Sequence, residues 1–132
     1  MANETLERHK QQVRQWFTAS ETNDLETLQK VTGPAFYQQT LAIMGWVRNT
    51  FSEHQVEIQE MVAEGNQVMV RAHSKGRHTG EFFGVPGTGR QWADNEGAML
   101  FRFEDDVIVD VWSVWNIPMH LEKLGLKMTV SA

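Results

Sequence analysis

The sequence predicts an α+β domain in which three N-terminal helices pack on a curved, mainly antiparallel sheet. Apolar residues recur at helical spacing through roughly the first 50 residues. From His54 onward the spacing changes to two, and turn residues separate several long segments of alternating character. Because the helices come first and the strands follow as a group, the order is that of α+β proteins and not of alternating βαβ units.

The N-terminal part of the chain is predicted to hold three helices and one short strand. Over residues 3–20, apolar residues recur at helical spacing and charged residues lie between them, which predicts an amphipathic first helix. A capping-box pattern that begins at Asn23 predicts a second helix over residues 24–31. Residues 36–40 are expected to form a short strand, and residues 41–52 a third helix.

The C-terminal part is predicted to hold a series of long strands joined by turns rich in Gly, Asn and Asp. The predicted strands cover residues 56–62, 67–75, 91–103 and 107–116. A last helical turn is expected over residues 119–124. No internal repeat interrupts this series, so we expect one domain over residues 1–132.

Composition narrows the classes of function. The net charge is −5 and there is no polybasic run, which argues against a nucleic-acid partner. No apolar stretch reaches the length of a membrane span, and the N-terminus lacks the apolar region of a signal peptide. The chain has no cysteine, and its histidines and carboxylates lack metal-ligand spacing. We therefore expect a cytoplasmic protein without a membrane partner, a bound metal or a cofactor.

Three segments resemble one known family. Residues 76–90 have the pattern G-x-H-x-G-x-F-x-G-x-P-x-T-G-R, residues 101–112 contain R-F followed by an acidic turn and a tryptophan, and residues 121–125 read LEKLG. In this order and spacing they resemble the SnoaL-like polyketide cyclases, a branch of the nuclear transport factor 2-like superfamily. The likeness covers residues 56–126 well and the N-terminal part only by its helix pattern.

The resemblance implies a cone-shaped α+β barrel around an apolar cavity that takes a small hydrophobic ligand. It also implies a homodimer that forms through the outer face of the sheet. Family members cyclise, isomerise, hydroxylate or simply bind polyketide-like compounds, which favours cofactor-independent acid/base chemistry here. Since one fold supports many activities, the fold alone does not choose among these.

The predicted last strand carries the first candidate site. Alternation places Asp110, Trp112, Val114 and Asn116 on one face, and the family's orientation would turn that face toward the cavity. Trp115 would then lie outside, at the dimer interface. The resemblance puts the family's catalytic acid at the position of Asn116, whose amide can orient a carbonyl but cannot transfer a proton at neutral pH. The alternative is that this Asn closes the strand and caps the turn that follows.

Two titratable residues are the candidates for proton transfer. Asp110 would have a raised pKa inside an apolar cavity, as a general acid or base requires, although a salt bridge to Arg71 or Arg102 is the competing interpretation. His73 is the histidine expected to lie inside the sheet and to titrate near neutrality.

Ligand contacts are expected from four further side chains. Trp16 would pack on an apolar ligand, Arg71 would lie at the cavity floor, and Tyr37 and Gln39 would orient the ligand near the mouth of the cone. His78 of the glycine-rich motif is expected to hold a turn. The other histidines, which are His9, His54 and His120, are expected at the surface or at helix ends.

Two other functions stay open at this stage. The same cavity would serve a non-catalytic module that binds a small ligand or a partner protein, and a carboxylate fully paired with arginine would favour that reading. An epoxide hydrolase needs two carboxylates around an arginine, for which Asp110, Arg102 and either Asp94 or Glu96 are the candidates.

Overall fold

The structure is a computed structural model that describes residues 2–127. Within that range, four helices pack on one antiparallel sheet of four strands in the order β1-β2-β3-β4. The helices are α1 (Ala2–Thr22), α2 (Leu25–Val31), α3 (Pro34–Thr50) and α4 (Ile117–Lys123). The strands are β1 (Phe51–Glu64), β2 (Gln67–His78), β3 (Gln91–Glu104) and β4 (Val107–Trp115). The predicted α+β class is confirmed.

Helix α2 begins one residue later than the capping-box pattern indicated. Asn23 adopts a left-handed φ of 59°, a conformation that Asn tolerates, and it separates α1 from α2. Asp24 is the N-cap, and its carboxylate accepts a hydrogen bond from the backbone N–H of Thr27 at 3.2 Å.

The short strand predicted over residues 36–40 is wrong, because α3 runs through it. Pro34 stands in the first turn of α3, where its fixed φ favours a helix start. Phe36, Thr40 and Met44 are buried and four residues apart, so they share one helix face that packs on the core. The helical spacing therefore begins earlier than the sequence interpretation assumed.

Two β-bulges flank one glycine at the end of the sheet. In β1, Glu53 and His54 lie opposite the single residue Gly76 of β2; in β3, Ala93 and Asp94 lie opposite its neighbour Lys75. A β-carbon on Gly76 would lie 2.7 Å from the Trp92 ring and 3.2 Å from the His54 backbone, so no side chain fits there. Bulges bend strands and re-aim side chains, and this pair does both beside the same pocket.

The glycine-rich motif of residues 76–90 holds a loop in place. His78 is fully buried, and its Nδ1 accepts a hydrogen bond from the Thr88 backbone N–H at 3.2 Å. The backbone N–H of Gly89 in turn donates to the carbonyl of His78 at 2.8 Å. These bonds join the two ends of the loop, which is the turn-holding role predicted for the motif's histidine.

Candidate active site

A pocket of about 990 Å³ lies between the sheet and helices α1, α3 and α4. Most of its wall is apolar, because it continues the faces that α1, α3 and the strands turn toward the core. The large apolar side chains of the wall include Trp16, Phe17, Met44, Phe51, Met99 and Trp115. The exposed charged side chains on the pocket wall belong to Glu21, Arg48 and Glu53, which form its rim. An apolar wall of this size suits a small hydrophobic ligand.

One end of the pocket is polar, and we call it the polar end: His54, Ser74, Asn95 and His120, grouped around Trp92. The His120 ring lies 4.3 Å from the Trp92 ring and the His54 ring 6.0 Å from it, between ring centroids. The indole N–H of Trp92 donates to the Ser74 hydroxyl at 3.2 Å. Ser74 is in turn the cross-strand partner of Asn95.

Both histidines of the polar end are neutral at physiological pH. Burial lowers the pKa of His54 to about 4, since the charged ring would lose its hydration. Burial also lowers the pKa of His120 to about 4, with smaller contributions from the like charges that His54 and His78 would carry. Nε2 of His120 is buried and has no hydrogen-bond partner among residues 2–127.

Asn95 reaches the pocket because it has the same parity in β3 as the buried residues Met99 and Phe101. Trp92 and Asn95 are three residues apart, yet both are buried, since the extra residue reverses the alternation between them. Asn95 is fully buried, and neither its Oδ1 nor its Nδ2 finds a hydrogen-bond partner within the described part of the chain.

The predicted orientation of β4 is wrong. Phe101 and Met99 of β3 point into the core, and their cross-strand partners Val111 and Ser113 share that face. A register shift near the start of β4 places the inward positions at Val111, Ser113 and Trp115. The outer face accordingly carries the residues that were expected inside, and those are Asp110, Trp112 and Val114.

Each of those outer residues is exposed. The side chain of Asp110 is 54% exposed, and its carboxylate lies 4.0 Å from the guanidinium of Arg102, its cross-strand partner. Trp112 is 54% exposed and Val114 49%. Asp110 therefore matches the competing salt-bridge interpretation. Trp112, which was expected inside, lies on the outer face, and Trp115, which was expected outside, lines the pocket.

Asn116 caps α4 and does not point into the pocket. Its side-chain oxygen accepts a hydrogen bond from the backbone N–H of Met119 at 3.1 Å, and the residue is exposed. This is the alternative role that the sequence left open. The cap starts α4, which carries His120 to the polar end.

His73 and Arg71 lie on the outer face of β2, because Val70, Ala72 and Ser74 occupy the inner one. Nε2 of His73 lies 3.3 Å from a carboxylate oxygen of Glu96. The guanidinium of Arg71 bonds Glu60 at 2.8 Å and Glu96 at 3.1 Å. Asp94 is the second acidic neighbour of His73, at 3.7 Å. The carboxylates considered for epoxide hydrolysis therefore lie outside the pocket.

Of the side chains expected to bind a ligand, Trp16 alone lines the pocket. Its indole N–H donates to the buried hydroxyl of Thr40 at 3.0 Å, which fixes the ring. Tyr37 and Gln39 stand on α3 and not on a strand; Tyr37 packs against the core and Gln39 is exposed.

Comparison with known proteins agrees with this architecture. The model of the SnoaL-like polyketide cyclase family matches residues 1–122. The chain belongs to that family. The structure of TsrD from Streptomyces laurentii matches at a TM-score of 0.80 and 19% identity, over 89% of this chain and 95% of TsrD. AclR from Streptomyces galilaeus matches at a TM-score of 0.75 and 25% identity, over 91% of this chain and 82% of AclR. The predicted cone-shaped fold is confirmed.

Among curated relatives, the nogalonic acid methyl ester cyclase of Streptomyces nogalater is 37% identical over 81 residues. The match covers 60% of this SnoaL-like chain and 57% of the relative's length.

The polar pocket residues that the sequence analysis did not select include His54, Ser74, Asn95 and His120. His54 and His120 were expected at the surface, and His9 with them, but His9 and His120 are buried and His54 is half-buried. Asn116, Ile117 and Pro118 predict a helix start before His120, but not the helix face that points inward. Alternation alone turns His54 and Asn95 inward. His54 has the parity of Val56 and Ile58 in β1, and Asn95 has the parity of Met99 and Phe101 in β3.

No group of three or more His, Cys, Asp or Glu within residues 2–127 is arranged to hold a metal ion. None of the described helices is long and apolar enough to span a membrane.

Proposed function

We propose that this protein is a cofactor-independent enzyme that moves a proton on a small hydrophobic carbonyl compound, of the type that polyketide cyclases use. The observation that carries the proposal is the position of His120: the residue lines an apolar pocket, and its buried Nε2 has no hydrogen-bond partner among the described residues. Its pKa of about 4 keeps the ring unprotonated at neutral pH, so it is ready to accept a proton.

In the proposed reaction, His120 removes a proton from a C–H bond beside a carbonyl, and the resulting enolate attacks a second carbonyl to close a ring. The protonated His120 then returns the proton to the new alkoxide, so no external acid is consumed. A base of such low pKa removes a proton only from a C–H bond that two flanking carbonyls make acidic. Proton transfer from a less acidic carbon to a weak base would be too unfavourable. Polyketide chains carry such positions.

The chain's family and its curated relative support the cyclase type. The relative is named as a nogalonic acid methyl ester cyclase. The position that carries the acid in related cyclases is Asn116 here, and it caps a helix outside the pocket. We therefore assign proton transfer to the histidines of the polar end, with His54 as the second member.

Turnover of nogalonic acid methyl ester, followed by chromatography, tests the proposal. Wild-type protein should close the ring in the presence of EDTA, and His120→Gln should lower kcat by roughly 10²- to 10⁴-fold, the usual range for loss of a general base. Turnover should stay flat from pH 8 to pH 6 and fall as the pH approaches 4, where His120 becomes protonated.

His73→Gln is the matched control, because it makes the same substitution at a histidine on the outer face. It and Asp110→Asn should leave kcat within about twofold of wild type, since both side chains lie outside the pocket. Equal losses in His120→Gln and His73→Gln would contradict the assignment to His120.

A non-catalytic ligand-binding module is the second candidate. One observation favours it: the carboxylate that sequence reasoning assigned to catalysis lies beside Arg102 on the outer face. Mass spectrometry of ligand released from purified protein separates the two functions. Recovery of a compound that the protein holds for hours without altering it would favour the module, whereas recovery of a cyclised product would favour the enzyme.

We also propose that the protein is a homodimer that forms through the outer face of the sheet. The support is an exposed apolar surface there, which includes Val62 at 65% exposure and Trp112 at 54%. Exposed apolar patches of this kind mark protein interfaces.

A further inference from the structure

Asn95 is a fully buried amide that has no hydrogen-bond partner among residues 2–127, and it lies on the wall of the pocket. Buried polar groups in folded proteins nearly always form hydrogen bonds, so a side chain with both Oδ1 and Nδ2 unpaired requires an explanation. The amide combines an acceptor and two donors on neighbouring atoms. A group that enters the pocket and offers a donor beside an acceptor would satisfy both at once.

The surroundings of Asn95 are polar but uncharged. The Ser74 hydroxyl accepts the Trp92 indole N–H and keeps its own proton to donate. His54 and His120 are unprotonated at neutral pH because burial lowers the pKa of each to about 4. Ionic side chains of the pocket wall are confined to the exposed rim. An anionic ligand group would find no counter-charge at this end, and burial of an unpaired charge is costly.

We propose that the Asn95 amide is a specificity-determining group that binds a neutral donor–acceptor edge of the ligand, such as an enol beside a carbonyl or a lactam. The inference rests on the ligand-binding pocket of the proposed function and adds to it the chemistry of the ligand's polar end. The amide would form two side-by-side hydrogen bonds, one through Nδ2 and one through Oδ1. A ligand that lacks either partner atom would leave one buried atom of Asn95 unpaired and bind more weakly.

Calorimetric titration with two probes of nearly equal shape tests this idea without any need for turnover. 2-Quinolinone is neutral and presents N–H and C=O side by side, whereas 1-methyl-2-quinolinone keeps the acceptor and loses the donor. Wild-type protein should bind 2-quinolinone at least about tenfold more tightly than its methylated analogue. 2-Naphthoate, an anion of similar size, should bind more weakly than 2-quinolinone.

Asn95→Leu replaces the amide by an apolar group of similar shape and should abolish the preference between the two quinolinones. The substitution should also raise Tm by a few degrees, because it removes a buried group that the described residues leave unsatisfied. Ser113→Ala is the matched control: it alters another polar side chain of the pocket wall and should keep the preference.

The outcomes separate this inference from the proposed function. Equal binding of both quinolinones by wild type, or a preference that survives in Asn95→Leu, would overturn the role of Asn95. A large fall in Tm for Asn95→Leu would overturn it as well, since it would identify a structural amide. Failure of all three probes to bind would count against the pocket as a ligand site, and so against the function on which the inference rests.

Discussion

The two histidines of the polar end link the chemistry of the pocket to the stability of the fold. Each has a folded-state pKa of about 4, below the 6.5 that an exposed histidine has. Between these values the unfolded chain binds more protons than the folded one. The stability that the neutral histidines contribute is therefore fully present above about pH 6.5 and is lost as the pH falls toward 4.

This loss can be measured by urea denaturation at a series of pH values. We expect each histidine to add to the slope of the unfolding free energy against pH. Its contribution should approach about 1.4 kcal/mol per pH unit between about pH 6 and pH 4.5. His120→Phe places an apolar ring among Phe51, Phe82 and Trp92 and should remove about half of the two-histidine slope. The variant also controls for carboxylates that titrate in the same range. An unchanged slope would mean that His120 is not buried in neutral form.

At the scale of elements, α4 depends on its cap. Asn116→Ala removes the side-chain acceptor for the Met119 N–H and should lower the free energy of unfolding by about 1 kcal/mol. Asn116→Asp keeps the cap and should leave stability unchanged or slightly raised, because a negative charge suits a helix N-terminus. Urea denaturation of both variants measures the difference. A loss of stability in Asn116→Asp equal to that in Asn116→Ala would contradict the capping role.

The elements themselves were largely predictable from the sequence, whereas their faces were not. Periodicity located α1, α2 and all four strands to within a few residues, because each depends on local spacing. The orientation of β4 depends on its pairing with β3 and on one extra residue near its start. A bulge shifts alternation by one position, so it moves Asp110 out and Trp115 in without any change in composition.

The residues of the candidate site follow from alternation and helical spacing, but their polarity conceals them. Trp16 lines the pocket because it lies on the apolar face of a long helix, and its contact with a ligand stays a prediction. Asn95 has the parity of Met99 and Phe101 in β3, so alternation places it inside although its polarity suggests the surface. His54 likewise has the parity of Val56 and Ile58 in β1. Local spacing specifies what an element is, but contacts between strands specify which side chains converge.

For the whole molecule, the outer face of the sheet gives the remaining prediction. Cross-strand pairing aligns one apolar residue from each strand in a continuous row, which consists of Val62, Met69, Leu100 and Trp112. Three of these are exposed in the single chain, at 65% for Val62, 36% for Met69 and 54% for Trp112. A row that crosses the entire sheet is more than the scattered apolar residues of an ordinary surface, and a second copy of the same face would cover it about a two-fold axis.

Sedimentation equilibrium tests whether two copies associate through this row. The wild-type protein should sediment at twice the chain mass of 15.2 kDa at micromolar concentration, and Trp112→Glu should shift it toward the single-chain mass, because it places a charge at the buried centre of the interface. Trp46→Glu is the matched control, since Trp46 is 53% exposed but stands on α3 at the pocket. A wild-type mass near 15.2 kDa, or loss of the dimer in both variants, would contradict an interface on the outer face.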